Sequence, residues 1–197
     1  KLEIRFKKEI FMKYIDKFFE QYTKEYEELI KDKSNQKKIK LFFRQILKIK
    51  KNKNKIMIAG NGGSAAISSH FSVDLTKNAG VRFINFNESD LITCFSNDYG
   101  YHKWIEKALK FYGDKGDMII LISSSGKSKN MIEAANFAKK NNYFLITLTG
   151  FFGSNRLSKL GKINFVVNSK KYNHIENVHQ YILLFIVDLV SQKNNIY

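Results

Sequence analysis

Ile56-Met57-Ile58-Ala59-Gly60-Asn61-Gly62-Gly63-Ser64 carries four apolar residues straight into a glycine-rich turn. The same grammar returns in Met118-Ile119-Ile120-Leu121-Ile122, which runs into Ser123-Ser124-Ser125-Gly126-Lys127-Ser128. Short continuous apolar runs followed by helical patterns are the mark of strands buried on both faces of a parallel sheet. Glycines let the backbone approach a ligand, serine hydroxyls add donors, and a helix starting after each loop aims its free N–H groups and its dipole at the same place. Two such loops at the ends of successive strands point to a cradle for a phosphorylated or polyhydroxylated small molecule.

Working outward, the strand–loop–helix rhythm predicts strands at 56–59, 82–86, 118–122, 144–149 and 163–167. Helices are expected near 64–78, 101–112, 128–141 and 174–191. The fold class is therefore α/β, a three-layer sandwich about a parallel five-stranded sheet, with ligands bound outside the carboxyl ends of the strands. Upstream, apolar residues at helical spacing predict helices over 3–30 and 36–50, separated by Asp32-Lys33-Ser34-Asn35. They read as a helical layer (residues 1–50) added to the α/β core (56–191) of one domain spanning 1–197. The last helix is apolar on most sides, from Ile175 to Val190, which suggests burial at a subunit contact.

Composition narrows the partners. The 197 residues hold 34 Lys and Arg against 18 acids, a formal charge of +16. Only Arg5, Arg44, Arg82 and Arg156 are arginines, and the lysines are dispersed apart from clusters at Lys37–Lys40 and Lys48–Lys55. Sequence-reading nucleic-acid proteins rely on arginine forks with interleaved aromatics, so a solvated basic surface is expected and a nucleic-acid partner is not. Cys94 is the only cysteine, which excludes an intrachain disulfide and fits a reducing compartment. The apolar run Tyr181–Val187 is too short to span a bilayer, and the first residues are charged, so a cytoplasmic protein with no membrane partner is expected.

The motifs resemble a known family. Gly60-Asn61-Gly62-Gly63-Ser64-Ala65-Ala66 with His70-Phe71 and Asp74-Leu75-Thr76, then Asn97-Asp98-Tyr99-Gly100, Ser123–Ser128 and Thr147-Leu148-Thr149-Gly150, resemble the bacterial phosphoheptose isomerases. These are sugar isomerase (SIS) domain proteins with a flavodoxin-like sheet. The resemblance implies isomerisation of a ketose phosphate, sedoheptulose 7-phosphate in this branch, to an aldose phosphate for heptose and surface-polysaccharide synthesis. Ser64, Ser123, Ser124, Ser125 and Ser128 would hold the phosphate, with Gly62 and Gly63 shaping the loop. Asn61 and Asp98 would meet sugar hydroxyls. The resemblance also implies a homotetramer with active sites at subunit boundaries. Some members bind zinc, so Zn2+ is the cofactor to look for; no nucleotide is expected.

The chain departs from that pattern where the chemistry lies. Aldose–ketose isomerisation needs a base and an acid beside the carbonyl. The family Glu on the first motif helix is replaced by Asp74, and the family His on the last helix by Leu184, which cannot exchange a proton. Asn173, Glu176 and Asn78 stand where the family has Asp, Gln and Arg. One reassignment makes Asp74 the base, His179 or His102 a proton carrier, and His70, Asp74 and Glu176 a metal site, because His70 and Asp74 share a helical face. Such an i, i+4 pair is equally the pattern of a surface hydrogen bond, and His179 equally that of a structural histidine; His174 is a further candidate by its position. The alternative function is a noncatalytic SIS-domain protein that senses a sugar phosphate or holds a partner.

Overall fold

The computed structural model describes residues 2–151 and 155–194. The chain forms two compact units, residues 1–33 and residues 34–197. The first is one long helix, α1 (Leu2–Ile30), along which Tyr14 and Phe18 stack and Phe18 meets Tyr22. The second contains everything else. The boundary at residue 34 assigns the second predicted helix, α2 (Ser34–Lys51), to the α/β body. The reason is its buried stripe of Phe42, Ile46 and Ile49.

Five parallel strands build the sheet: β1 (Lys55–Gly60), β2 (Arg82–Asn85), β3 (Met118–Ser123), β4 (Phe144–Thr149) and β5 (Ile163–Val166), in the order β2-β1-β3-β4-β5. That is the flavodoxin-like order, with its switch point between β1 and β3. Every residue of β1 and β3 is buried, the burial pattern that their unbroken apolar runs demand. Lys55 opens β1 at the opposite end from the serine loops, where its ammonium is paired with Asp114 and Asp117. Burial alone would lower its pKa, but hydrogen bonds to the two carboxylates outweigh that and raise it.

The helices α3 (Gly63–Ala79) and α7 (Tyr172–Asn194) pack together with α2 on one face of the sheet. Phe42 of α2 meets Phe71 of α3 and Phe165 of β5, which ties that layer to the sheet. On the other face α5 (Trp104–Tyr112) and α6 (Lys129–Lys140) cover Met57, Ala59, Ile119 and Leu121 with Trp104, Ile105, Met131 and Ala135. A single 3-10 turn at Leu157–Lys159 completes that side.

The structure adds one helix, α4 (Ser89–Tyr99), where no helix is predicted from the sequence. None of its residues is buried, so it carries no full apolar stripe to betray it. The predicted helix over 101–112 begins only at Trp104, because Gly100 at φ 82° ends α4 and a turn follows. The last helix is apolar as expected but not buried all round: Tyr181 and Phe185 are exposed. Among the described residues no helix is long and apolar enough to cross a membrane.

Candidate functional site

Strand register places the two loops side by side. Gly60 is level with Ile122 in the β1–β3 pair, and Ser123 with Thr149 in the β3–β4 pair. The residues that follow therefore leave the carboxyl edge of the sheet together. There Asn61, Ser64, Ile122, Ser123, Ser124, Ser125, Ser128, Tyr172 and Glu176 line a cavity of about 150 Å³. Pockets that enclose a whole drug-sized ligand measure about 300–1,000 Å³. This one has room for one end of a sugar phosphate, with the rest extending outward.

Local folding explains how the loops take their shape. Gly62 precedes α3 at φ 54°, and Ser64 N donates to the Asn61 carbonyl at 3.0 Å. Gly63 has no side chain because the Glu176 carboxylate of α7 fills that space. In the second loop Gly126 turns at φ 61° and donates its N–H to the Ser123 carbonyl at 2.9 Å. A Cβ there would run into the Asn155 side chain, so only glycine closes the loop. Gly150 N donates to the Ser124 carbonyl at 2.8 Å, and the Ser123 and Ser128 hydroxyls lie 3.2 Å apart. The Ser124 Oγ is buried without a hydrogen-bond partner among the described residues. An unpaired buried hydroxyl is destabilising.

The cavity wall is polar but poor in positive charge. Among the described residues no Lys or Arg lines it, and Glu176 is its one carboxylate. An anion bound here would be held by hydroxyls and by backbone N–H groups at the starts of α3 and α6, with a carboxylate nearby. The net charge of the chain is carried elsewhere.

Several residues singled out from the sequence lie outside this cavity. Asp98 is exposed near the end of α4 and accepts a hydrogen bond from Asn97 Nδ2 at 3.0 Å. His102 is exposed after the Gly100 turn. Leu184 is half-buried on α7. His174 is buried, 1 % exposed. His179, an expected proton carrier, is instead an interior residue. It is fully buried, its Nε2 lies 3.1 Å from the Thr149 carbonyl, and burial lowers its pKa to about 4 despite that bond. An imidazole so held is neutral and enclosed at neutral pH, which unsuits it to carry protons for a ligand.

His70 and Asp74 do meet: His70 Nε2 lies 3.1 Å from Asp74 Oδ2, and Gln180 Nε2 donates toward His70 Nδ1 at 3.4 Å. Glu176 does not join them. Among the described residues no three His, Cys, Asp or Glu side chains gather as a metal site. Zinc takes three or four protein ligands. Among the described residues of one chain, only the His70–Asp74 pair comes together.

Sequence reading missed three residues at the cavity. Tyr172 lines it from the first turn of α7. Tyr101 donates its hydroxyl to Asn61 Oδ1 at 3.2 Å. Asn130, 2 % exposed, pairs with Asn61 through two hydrogen bonds. The only signal for Asn130 was its position two residues after Ser128.

Comparison with known proteins gives the class. The SIS domain family matches residues 17–150. A phosphoheptose isomerase from Helicobacter hepaticus is 33% identical over 149 residues, 73% of this chain and 76% of the relative. One from Fusobacterium nucleatum is 32% identical over 143 residues, 70% of this chain and 73% of the relative. The solved phosphoheptose isomerase of Neisseria gonorrhoeae superposes with a TM-score of 0.80 at 25% identity, covering 91% of this chain and 99% of that one. The chain belongs to the SIS domain family, among the phosphoheptose isomerases.

Proposed function

We propose that the chain is an isomerase of a seven-carbon sugar phosphate, sedoheptulose 7-phosphate or a close ketose phosphate, acting in heptose and surface-polysaccharide synthesis in the cytoplasm. The observation that carries the reading is the gathering of Ser64, Ser123, Ser124, Ser125 and Ser128 around one cavity at the carboxyl edge of the sheet. Ser64, Ser123, Ser124, Ser125 and Ser128 hold the phosphate, Asn61 and Glu176 face the sugar, and Asp74 is the base. One SIS domain over 1–197 remains the proposed organisation.

The position of Asp74 has a consequence for assembly. Ser64 and Asp74 stand ten residues apart on α3, roughly 15 Å along the axis. An extended sugar phosphate reaches roughly 8 Å from carbonyl carbon to phosphorus, at about 1.2 Å per bond of an extended chain. Asp74 therefore serves the cavity of a neighbouring copy, and the active enzyme is a homo-oligomer, a tetramer in this reading. The apolar groove between α2 and α7, about 710 Å³ and lined by Leu47, Phe185 and Leu189, supports a subunit contact.

Leu184 and the enclosed His179 favour a second reading, a noncatalytic sugar-phosphate-binding protein. Purified protein incubated with sedoheptulose 7-phosphate, with the aldose product sought by NMR, separates the two. Turnover that disappears in Asp74→Asn while phosphate binding persists supports the isomerase. Saturable binding without turnover sinks it in favour of the binder.

A further inference from the structure

A chain of hydrogen bonds fixes which way the Asn61 amide faces. It starts at a group whose identity is not in question, the backbone N–H of Met131, which donates to Asn130 Oδ1 at 3.0 Å. That bond orients the Asn130 amide, so its Nδ2 must face Asn61, where it donates to Asn61 Oδ1 at 2.9 Å. Asn61 Nδ2 returns a bond to Asn130 Oδ1 at 3.1 Å. Tyr101 adds a second donor on Asn61 Oδ1 at 3.2 Å.

The inventory of Asn61 then closes. A carbonyl oxygen has two lone pairs, and both are taken; the amide has two N–H groups, and one is taken. Among the described residues the other N–H has no partner, and Asn61 lines the cavity. An asparagine is by nature ambidextrous, able to offer either a donor or an acceptor. Here it can offer only one N–H.

We propose that Asn130 and Tyr101 are positioning residues that turn Asn61 into a one-way donor, so that the cavity selects a ligand oxygen able to accept, a carbonyl or an ether-like or hydroxyl oxygen of the sugar portion. The proposal rests on the sugar-phosphate reading of the cavity. Its physical advantage is preorganisation: an amide held by three bonds loses no rotamer freedom on binding and cannot flip to an unproductive face. Asn130 is suited to the task because it is almost wholly enclosed at the start of α6. Tyr101 is exposed, so its hydroxyl can be removed without touching the core.

The test is a cycle of variants in the full chain: Asn61→Ala, Tyr101→Phe, Asn130→Ala, and each of the last two combined with Asn61→Ala. Affinity is measured calorimetrically for sedoheptulose 7-phosphate and separately for inorganic phosphate. Tyr101→Phe should weaken the sugar phosphate about threefold and Asn130→Ala about tenfold, the range of one or two lost hydrogen bonds. Both effects should vanish in the Asn61→Ala background, and inorganic phosphate should bind within twofold of wild type throughout. Effects that persist without Asn61, or that fall equally on inorganic phosphate, overturn the proposal, since residues that merely supported the loop would act that way.

A wild-type protein that binds inorganic phosphate but no sugar phosphate defeats the functional reading instead. The positioning role is then decided by the Asn61 side-chain amide in 15N-resolved NMR spectra. Two protons displaced from free-amide shifts and slow to exchange with water, which move toward free-amide shifts and exchange faster in Tyr101→Phe and Asn130→Ala, support it; a signal unchanged by either substitution overturns it.

Discussion

The Glu176 carboxylate of α7 occupies the space into which a Cβ on Gly63 would project. Two elements that leave the chain more than a hundred residues apart thus meet at one point of the cavity wall, and they do so only because position 63 has no side chain. The contact also brings a negative charge into a cavity whose wall, among the described residues, holds no Lys or Arg. At a separation of about 6 Å and an effective dielectric near 20, a unit charge costs a bound anion on the order of 2–3 kcal/mol before screening. Glu176→Gln is therefore expected to tighten inorganic phosphate at least fivefold at low salt, with the gain shrinking as salt rises. Calorimetric titration checks this, and equal or weaker binding would remove Glu176 from the anion's surroundings.

A second expectation separates stability from binding at Ser124. Its buried Oγ makes no hydrogen bond among the described residues, which costs the empty protein about 1–3 kcal/mol. Ser124→Ala should raise the urea midpoint by roughly 1 kcal/mol in stability while lowering sugar-phosphate affinity about tenfold. A variant less stable than wild type would mean that the hydroxyl has a partner in solution and is not reserved for a ligand.

The pH dependence of stability is governed in part by His179. In the unfolded chain its imidazole protonates near pH 6.5; in the folded chain burial delays this to about 4. Between those values the unfolded state binds one more proton, so stability declines as pH falls. The loss is about 1.4 kcal/mol per pH unit and roughly 3 kcal/mol in all, with no contribution from this residue to the slope above pH 6.5. Urea unfolding of wild type and His179→Leu at pH 7, 6 and 5 should show a steeper decline for wild type, whatever the variant's starting stability. Parallel curves would place the imidazole in contact with solvent.

The centre of the sheet was readable because burial on both faces gives β1 and β3 nearly unbroken apolar runs; β4 falls on the predicted residues 144–149, and β1 differs by one residue at each end. Helix α4 was not readable because it buries nothing, and hydrophobic periodicity reports burial rather than helicity. The same distinction runs through the site. Serines directly after strand ends are placed by the chain itself, so Ser123, Ser124, Ser125 and Ser128 could be located from local sequence. Tyr101 reaches Asn61 across 40 residues and Asn130 across 69, and nothing local encodes such a meeting. His179 shows the converse error. Its spacing on the helix suits a reacting residue as well as a core residue, and only packing against Thr149 tells the two apart.

The groove between α2 and α7 offers a test of assembly that is independent of catalysis. Phe185 is 41 % exposed and lines the groove together with Leu47 and Leu189. Apolar area is worth about 25 cal/mol per Å² when removed from water, so a charge placed at the centre of a buried contact forfeits the burial and adds a desolvation cost. If copies meet here, Phe185→Glu and Leu47→Glu should each shift the protein toward smaller species in light scattering at micromolar concentration, while leaving the far-ultraviolet dichroism unchanged. Because Asp74 is proposed to serve a neighbouring copy's cavity, turnover should fall in step with dissociation, whereas binding of inorganic phosphate to the hydroxyl cavity should persist. An unchanged mass in both variants would exclude this groove as the contact, and full activity in a dissociated variant would return the base to the chain that holds the phosphate.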